Sequence, residues 1–156
     1  MKTIKSIYIP ELASKTLVQI DAAMAGMPTT GHIDQINWPE LYPAAPQTTF
    51  TLAHTDQMLY VRYEVKGELP LSTKTNDLEL VNEDACVEIF IADQDNTHYW
   101  NFEFNPAGVC NASHRKERKV DVVRLNPEQL ASIQRYGQQL CAAHWTLLIG
   151  IPLSLI

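Results

Sequence analysis

The chain has 156 residues, of which 46% are hydrophobic and 19% are charged, and its formal net charge is −6. This composition excludes an intrinsically disordered chain and fits one folded domain that can bury a sizeable core. The negative charge argues against nucleic acid as a partner, because a phosphate backbone requires a basic surface.

The N-terminal segment predicts a short strand. Residues 4–9 are rich in isoleucine, but Pro10 stands where the apolar stretch of a signal peptide would continue. We therefore expect no export signal, leave the localisation unassigned and take the cytoplasm as the default. No apolar run is long enough to span a bilayer, so we also expect no membrane partner.

A short helix and a proline-rich loop are predicted next. Ser14 can cap a helix whose apolar residues keep helical spacing as far as Gly26, where the helix would end. Residues 33–46 hold three prolines, which exclude a central strand. An aromatic residue precedes proline twice, at Trp38 and Tyr42. We expect Trp38 to pack on the rim of the core rather than to contact a ligand.

Two hairpins follow in the predicted fold. Residues 48–65 alternate between polar and apolar side chains on both sides of a turn at Asp56 and Gln57. Residues 67–79 are polar and turn-rich. The second hairpin covers residues 83–105, with its turn at residues 93–96.

The last third of the chain predicts two short strands, a helix and a final strand. The strands fall at residues 109–112 and 120–123, and the basic residues 114–119 between them are expected to form a solvated loop rather than an anion site. Asn126 can cap a helix that Gly137 would end. The chain closes on an almost wholly apolar strand and tail, from which we expect further sequence beyond Ile156.

Short alternating strands with only one or two brief helices predict an all-β fold. We expect an antiparallel β-sandwich, jelly-roll-like and immunoglobulin-like in appearance. Residues 1–156 form a single domain in this interpretation, incomplete at its C-terminus. The chain has three cysteines at widely spaced positions, Cys86, Cys110 and Cys141. An odd, widely spaced set predicts reduced thiols, although a disulfide between Cys86 and Cys110 remains an alternative.

The second hairpin places polar side chains on one face of the predicted sheet. Strand alternation turns one set of its residues towards the core: Val87, Ile89, Ile91, Trp100, Phe102 and Phe104. The opposite face then carries Glu88, Phe90, Tyr99, Asn101, Glu103 and Asn105. Proteins hold sugar hydroxyls with planar amide and carboxylate side chains beside aromatic rings. This face therefore predicts a sugar-binding surface.

Other chemistries stay open at this stage. Glu88 and Glu103 could be the paired carboxylates of a glycoside hydrolase. A structural or haem-binding sandwich is a third hypothesis, for which His54 and Met58 are the loose candidates as axial ligands. The five histidines show no metal-ligand spacing. A structural calcium ion remains open, since oxygen ligands are offered by Asp84, Asp93, Asp95 and Asn96.

Two sequence runs carry a resemblance to a known family. Residues 83–91 read EDACVEIFI, and residues 99–105 read YWNFEFN. Together with residues 36–39, 42–43, 50–54, 59–63 and 145–147, they resemble carbohydrate-binding module family 9, in particular the family-9-like proteins common in gut bacteria. The resemblance implies a β-sandwich that binds a plant or dietary polysaccharide such as xylan or glucan without catalysis. Such modules are often attached to xylanases or other glycoside hydrolases.

The resemblance also implies site residues. Glu88 matches the binding glutamate of the first run, and Glu103 matches a polar binding position on the next strand. We add further ligand-binding candidates from the same stretch: Asp84, Tyr99, Asn101 and Asn105. No catalytic residue, metal ligand or cofactor is implied, although some family members hold structural calcium.

The sequence departs from the family in its aromatic residues. Better-understood members hold a sugar's reducing end between two tryptophans. The first of these positions falls within residues 80–83 here, which contain no aromatic residue. The second belongs to a segment beyond Ile156. The sequence alone therefore predicts a sugar-binding face that lacks both family tryptophans.

Overall fold

Two stacked β-sheets make up most of the computed structural model, which describes residues 4–41 and 45–156. The Tyr42-Pro43 pair and residues 1–3 lie outside the described residues. The strands are β1 (Ile7–Tyr8), β2 (Gly31–Ile33), β3 (Gln47–His54), β4 (Met58–Lys66), β5 (Val87–Ala92), β6 (Tyr99–Phe104), β7 (Cys110–Arg115), β8 (Val123–Arg124), β9 (Gln134–Cys141) and β10 (His144–Pro152).

The larger sheet has six strands in the order β1-β3-β4-β10-β9, with β2 also paired to β3. The smaller sheet runs β5-β6-β7-β8. Every pair is antiparallel except β1 with β3, which is parallel. The predicted all-β sandwich is confirmed, and both predicted hairpins form as β3–β4 and β5–β6.

The main core lies between the two sheets. Trp145, Leu147, Ile149 and Ile151 of β10 and Phe102 and Phe104 of β6 are completely buried there. The hydrophobic final strand predicted from sequence thus lies between β4 and β9, where neighbours bond to both of its edges.

Two short helices flank the sheets, as predicted. Helix α1 (Leu17–Ala25) begins with a capping box between Thr16 and Gln19 and ends at Gly26. Its cap is Thr16 rather than Ser14, because Ser14 already belongs to a 3-10 turn. Helix α2 (Pro127–Ser132) has the predicted cap at Asn126. None of the helices in residues 4–41 and 45–156 is long and apolar enough to cross a membrane.

Helix α1 gives the larger sheet a second buried face. Ile20 and Met24 of the helix pack with Leu12 against Ala53, Tyr60 and Leu148 on the outer side of the sheet. Asp21 of the helix also forms an ion pair of 2.8 Å with Arg62 of β4, and the two side chains are only 8% and 9% exposed. The larger sheet is therefore covered on both sides.

The prediction of a solvated loop at residues 114–119 is wrong for its first two residues. His114 and Arg115 belong to β7 and are half-buried, because each finds a partner on the sheet. His114 contacts Asp93 at 2.9 Å and packs 4.4 Å from the ring of Trp100. The strand predicted at residues 120–123 is likewise shifted, since β8 covers only Val123–Arg124.

Gly137 does not end helix α2, as the sequence predicted, but lies inside β9. A side chain there would collide with the carbonyl oxygen of Pro106. We expect Gly137→Ala to lower the free energy of unfolding by about 2 kcal/mol, because backbone must move to admit the methyl group. Urea unfolding followed by circular dichroism measures this.

Gly26→Ala is the matched control, because the nearest atom to its added methyl group would lie 3.6 Å away. It is expected to change stability by less than about 1 kcal/mol. Equal losses in the two variants would contradict the close approach at Gly137.

Candidate functional site

The β5–β6 hairpin brings the predicted polar face together in register. Glu88 lies directly opposite Glu103, and Phe90 lies opposite Asn101. The ring of Phe90 is 59% exposed and packs 5.9 Å from the ring of Tyr99. The alternation read from the sequence therefore places these five side chains on one face.

Asn101 holds the carboxylate of Glu88 in place. Its side chain is 1% exposed, and its Nδ2 donates to Glu88 Oε2 at 3.4 Å. Its Oδ1 accepts a hydrogen bond of 2.9 Å from Nη2 of Arg115. Arg115 in turn donates to Ser113 and to the carbonyl of Arg118. Asn101 is thus a buried positioning group, with both ends of its amide occupied.

The environment of Glu88 disfavours its charged form. Desolvation raises the pKa of this carboxyl, and the neighbouring Glu103 raises it further. The hydrogen bond from Asn101 and the charge of Arg115 lower the pKa by less. Glu103 itself accepts a hydrogen bond of 2.9 Å from Asn111. A donor or cation that approached Glu88 would therefore meet a carboxylate with unused acceptor capacity.

The backbone of β5 is tied to the other sheet next to this carboxylate. The hydroxyl of Tyr63, on β4, donates to the carbonyl oxygen of Glu88 at 3.0 Å. Tyr63 is 3% exposed, so the bond lies inside the sandwich. Strand β5 is an edge strand, and this contact fixes the position of its free edge.

A cleft of about 530 Å³ opens beside this edge of β5. Glu88, Phe90, Cys86 and Val87 form one side of it, and the loop after β2 contributes Gln35, Ile36, Asn37 and Trp38. The rest of the lining comes from Ile33, Ala45, Pro46, Thr48, Val65, Glu68 and Trp145. Its volume lies within the range of small-molecule binding sites.

Trp38 differs from its sequence-based expectation. Its side chain is 61% exposed and lines the cleft rather than packing on the rim of the core. The prolines keep its loop out of the sheet, which leaves the indole free beside β5. Among the described residues, the cleft thus has two exposed aromatic rings, Trp38 and Phe90.

Asp84 and Asn105 lie in a separate hydrogen-bond network rather than in the cleft lining. The carboxylate of Asp84 accepts four hydrogen bonds, from Thr73 N and Oγ1 at 2.9 and 2.6 Å, from Lys74 N at 3.0 Å and from Asn105 Nδ2 at 3.0 Å. Asn105 is fully buried and also bonds the carbonyl of Lys74 and the amide of Val109. Through these hydrogen bonds, both side chains hold the loop at residues 73–74 against the end of β6.

The sequence profile of Carbohydrate-binding family 9 matches residues 19–155. The chain belongs to this family. A solved structure from Bacteroides uniformis ATCC 8492, described as a "putative carbohydrate-binding protein", is similar in fold, with a TM-score of 0.83 and 25% sequence identity. The match covers 96% of this chain and 72% of that one. No curated protein matches the chain.

Membership of family 9 confirms the resemblance read from the two β5–β6 runs. Of the six predicted site residues, the structure brings only Glu88 into the cleft lining. Tyr99, Asn101 and Glu103 stand on the same sheet face, one strand further in. Sequence reasoning missed Trp38 and Glu68 as lining residues. The aromatic-proline pair was a signal for Trp38, whereas no sequence feature distinguished Glu68.

Three of the four oxygen ligands considered for calcium, Asp84, Asp93 and Asp95, already have hydrogen-bond or ion-pair partners in this family 9 structure. Asp93 pairs with His114, and Asp95 accepts hydrogen bonds from the backbone and hydroxyl of Thr97. Among residues 4–41 and 45–156, no group of three or more His, Cys, Asp or Glu residues is placed to hold a metal ion.

The three cysteines are free thiols, as predicted. Burial raises the pKa of both Cys86 and Cys110 to about 12, and for Cys86 the nearby Glu88 and Glu103 add to this effect. Both thiols therefore stay protonated near neutral pH.

The hydrogen-bond network around Asp84 predicts that the fold loses stability at acidic pH. Partial burial opposes its charge, but the hydrogen bonds from Thr73, Asn105 and Lys74 outweigh it and hold the pKa of Asp84 well below its usual range. A carboxyl whose folded pKa is lowered stabilises the fold above its unfolded pKa of about 4, and this contribution fades as the pH falls below that value. Asp84→Asn should therefore be less stable than wild type at neutral pH, with a smaller difference near pH 3.

Urea midpoints measured from neutral to acidic pH test this expectation. Thr73→Val is the matched variant, because it removes one of the four donors and should show a weaker form of the same pH dependence. A constant gap between wild type and Asp84→Asn at all pH values would contradict the role of the charge.

Proposed function

We propose that the chain binds an oligosaccharide segment of a polysaccharide such as xylan or glucan in the cleft beside β5. One observation carries the proposal: two exposed aromatic rings, Trp38 and Phe90, line the same cleft as Glu88. Aromatic rings suit the apolar C–H faces of a sugar, and a carboxylate accepts hydrogen bonds from its hydroxyls. The family and the Bacteroides uniformis neighbour support carbohydrate as the ligand class.

In this proposal the surrounding polar residues have graded roles. Glu88 accepts hydroxyl hydrogen bonds directly, and Asn101 orients it from behind. Glu103 and Tyr99 extend the same face beyond the cleft for a longer ligand. Asp84 and Asn105 act indirectly, by fixing the loop and strand end that carry the site. Binding requires no cofactor in this scheme, with calcium limited to a structural role.

We further propose that binding is not accompanied by catalysis. A glycoside hydrolase places its two carboxyl groups on either side of the scissile bond. Glu88 and Glu103 instead rise from the same face of one sheet as direct cross-strand neighbours, and only Glu88 lines the cleft. The function that follows is an accessory one, in which the domain holds polysaccharide for a glycoside hydrolase partner. Turnover of an aryl glycoside that disappears in Glu88→Gln would overturn this view.

Isothermal titration against xylo- and gluco-oligosaccharides tests the binding proposal, in buffer with EDTA and again with calcium. We expect saturable heat with at least one series, the same affinity in both buffers, and about a tenfold loss in Glu88→Gln. Glu11→Gln, an exposed glutamate on the 3-10 turn before α1, is the matched control and should bind normally. Absence of heat with every sugar would contradict the proposal.

A further inference from the structure

We propose that the cleft prefers glycans whose sugar units carry a free amino group over their neutral counterparts, and that it rejects acidic sugars. This inference rests on the proposed carbohydrate-binding function and adds the chemical class of the preferred ligand. It follows from the charges and the aromatic rings of the cleft lining.

The cleft is negatively charged without internal compensation. Its lining contains two carboxylates, Glu68 and Glu88, and no lysine, arginine or histidine among the described residues. Neither carboxylate takes part in an ion pair within the described part of the chain. Glu103 adds a third carboxylate beside Glu88. A carboxylated sugar would place a further negative charge beside these carboxylates. The repulsion between like charges would lower its affinity for the cleft.

The basic side chains near the two glutamates stay outside the cleft lining. Lys66, two residues before Glu68, pairs with Glu64 at 2.8 Å. Arg115 directs its guanidinium to Asn101, Ser113 and the carbonyl of Arg118. The charges of Arg115 and Arg118 act on Glu88 without an ion pair to it, so a cationic ligand would be the first positive group in direct contact with either glutamate among the described residues.

Burial makes this dependence stronger. Desolvation raises the pKa of Glu68, and desolvation followed by the charge of Glu103 raises that of Glu88. Both carboxylates are thus less favourable in their charged form than they would be in water. An ammonium group within hydrogen-bond distance restores that lost stabilisation, and charge-assisted hydrogen bonds are stronger than neutral ones.

The aromatic rings of the cleft call for a sugar rather than for any amine. Trp38 and Phe90 offer exposed faces on which the apolar C–H face of a sugar can stack. The same faces attract cations. An amino sugar supplies both the C–H face and the cation, whereas a simple polyamine supplies only the cation.

The test compares β-1,4-linked tetrasaccharides of equal length by isothermal titration. The four probes are cellotetraose, its fully deacetylated amino counterpart chitosan tetraose, tetra-N-acetyl-chitotetraose and a tetragalacturonate as the acidic sugar. Titration is run at low salt and at a mildly acidic pH, chosen so that the sugar amines are protonated and the galacturonate carboxyls are ionised. We expect the amino tetramer to bind about tenfold tighter than cellotetraose, and the tetragalacturonate to give no heat. Added salt should narrow the gap.

The double variant Glu68→Gln with Glu88→Gln should bind the amino and neutral tetramers equally, whereas Glu11→Gln keeps the preference. Cellotetraose binding without any gain for the amino tetramer would overturn this inference and leave the proposed function standing. Equally tight binding of trilysine would also overturn it, because the cleft would then attract any polycation. Absence of binding by all four sugars would overturn the inference, and absence of heat with the xylo-oligosaccharides as well would overturn the proposed function.

Discussion

Replacing Trp38 by alanine is expected to weaken binding of xylo- or gluco-oligosaccharides by about 30-fold or more. The indole is one of two exposed aromatic rings that the described residues contribute to the cleft, and loss of a central aromatic contact typically costs about 2 kcal/mol of binding free energy. Trp38→Phe should keep most of the affinity, because it retains a ring for the sugar to stack on. Isothermal titration measures both variants.

The control for Trp38 is Tyr8→Ala, which removes another exposed aromatic side chain. Tyr8 lies on β1 beside His54, at the opposite end of β3 from the cleft residue Thr48. Its loss should leave sugar affinity unchanged. Because the Trp38 side chain is 61% exposed, Trp38→Ala should also keep the melting temperature of the wild type. Full affinity in Trp38→Ala would remove the aromatic basis of the proposed site.

Replacing Asp21 by alanine is expected to lower the free energy of unfolding by about 3–5 kcal/mol. Asp21 projects from helix α1 and pairs with Arg62 at 2.8 Å, with both side chains less than a tenth exposed. Removing Asp21 leaves the buried guanidinium of Arg62 with only a longer contact of 3.5 Å to Glu64, which is costlier than losing the pair altogether. Urea unfolding at neutral pH measures the change.

Two further variants separate this effect from a general loss of charge. Lys66→Ala breaks the pair with Glu64, in which the lysine is 53% exposed, and should cost less than about 1 kcal/mol. The double variant Asp21→Leu with Arg62→Met removes both buried charges and should recover most of the stability. If Asp21→Ala costs no more than Lys66→Ala, the pair does not hold helix α1 to the sheet.

Strand periodicity predicted the fold and one side of the site. Alternation in residues 83–105 placed Glu88, Phe90, Asn101 and Glu103 on one face, and the structure adds the register in which Glu88 lies opposite Glu103 and Phe90 opposite Asn101. Period-two patterns report which face of a strand is buried, so they transfer directly to the sheet. The same segment carried the family resemblance.

The cleft itself could not be predicted in this way. Trp38 comes from a proline-rich loop, whose position relative to β5 depends on tertiary contacts rather than on periodicity. Polarity alone also could not separate Glu88 from Asp84, because both are carboxylates in the same sequence run. The structure distinguishes them by their partners: Asp84 accepts four hydrogen bonds from neighbouring groups, whereas Glu88 accepts one.

Strand β10 spans the centre of a sheet covered on both faces, and this has a kinetic consequence. Its residues from Trp145 to Ile151 are all buried, so their amide protons should exchange with solvent only through global unfolding. Strand β5 has an unpaired edge and exposed residues, and it can open locally. The cleft joins the two, with Trp145 on β10 and Glu88 on β5. A sugar that binds only the folded state would slow amide exchange in β10 by its full stabilisation of the fold, and it would slow exchange in the β5–β6 hairpin wherever local opening breaks the site.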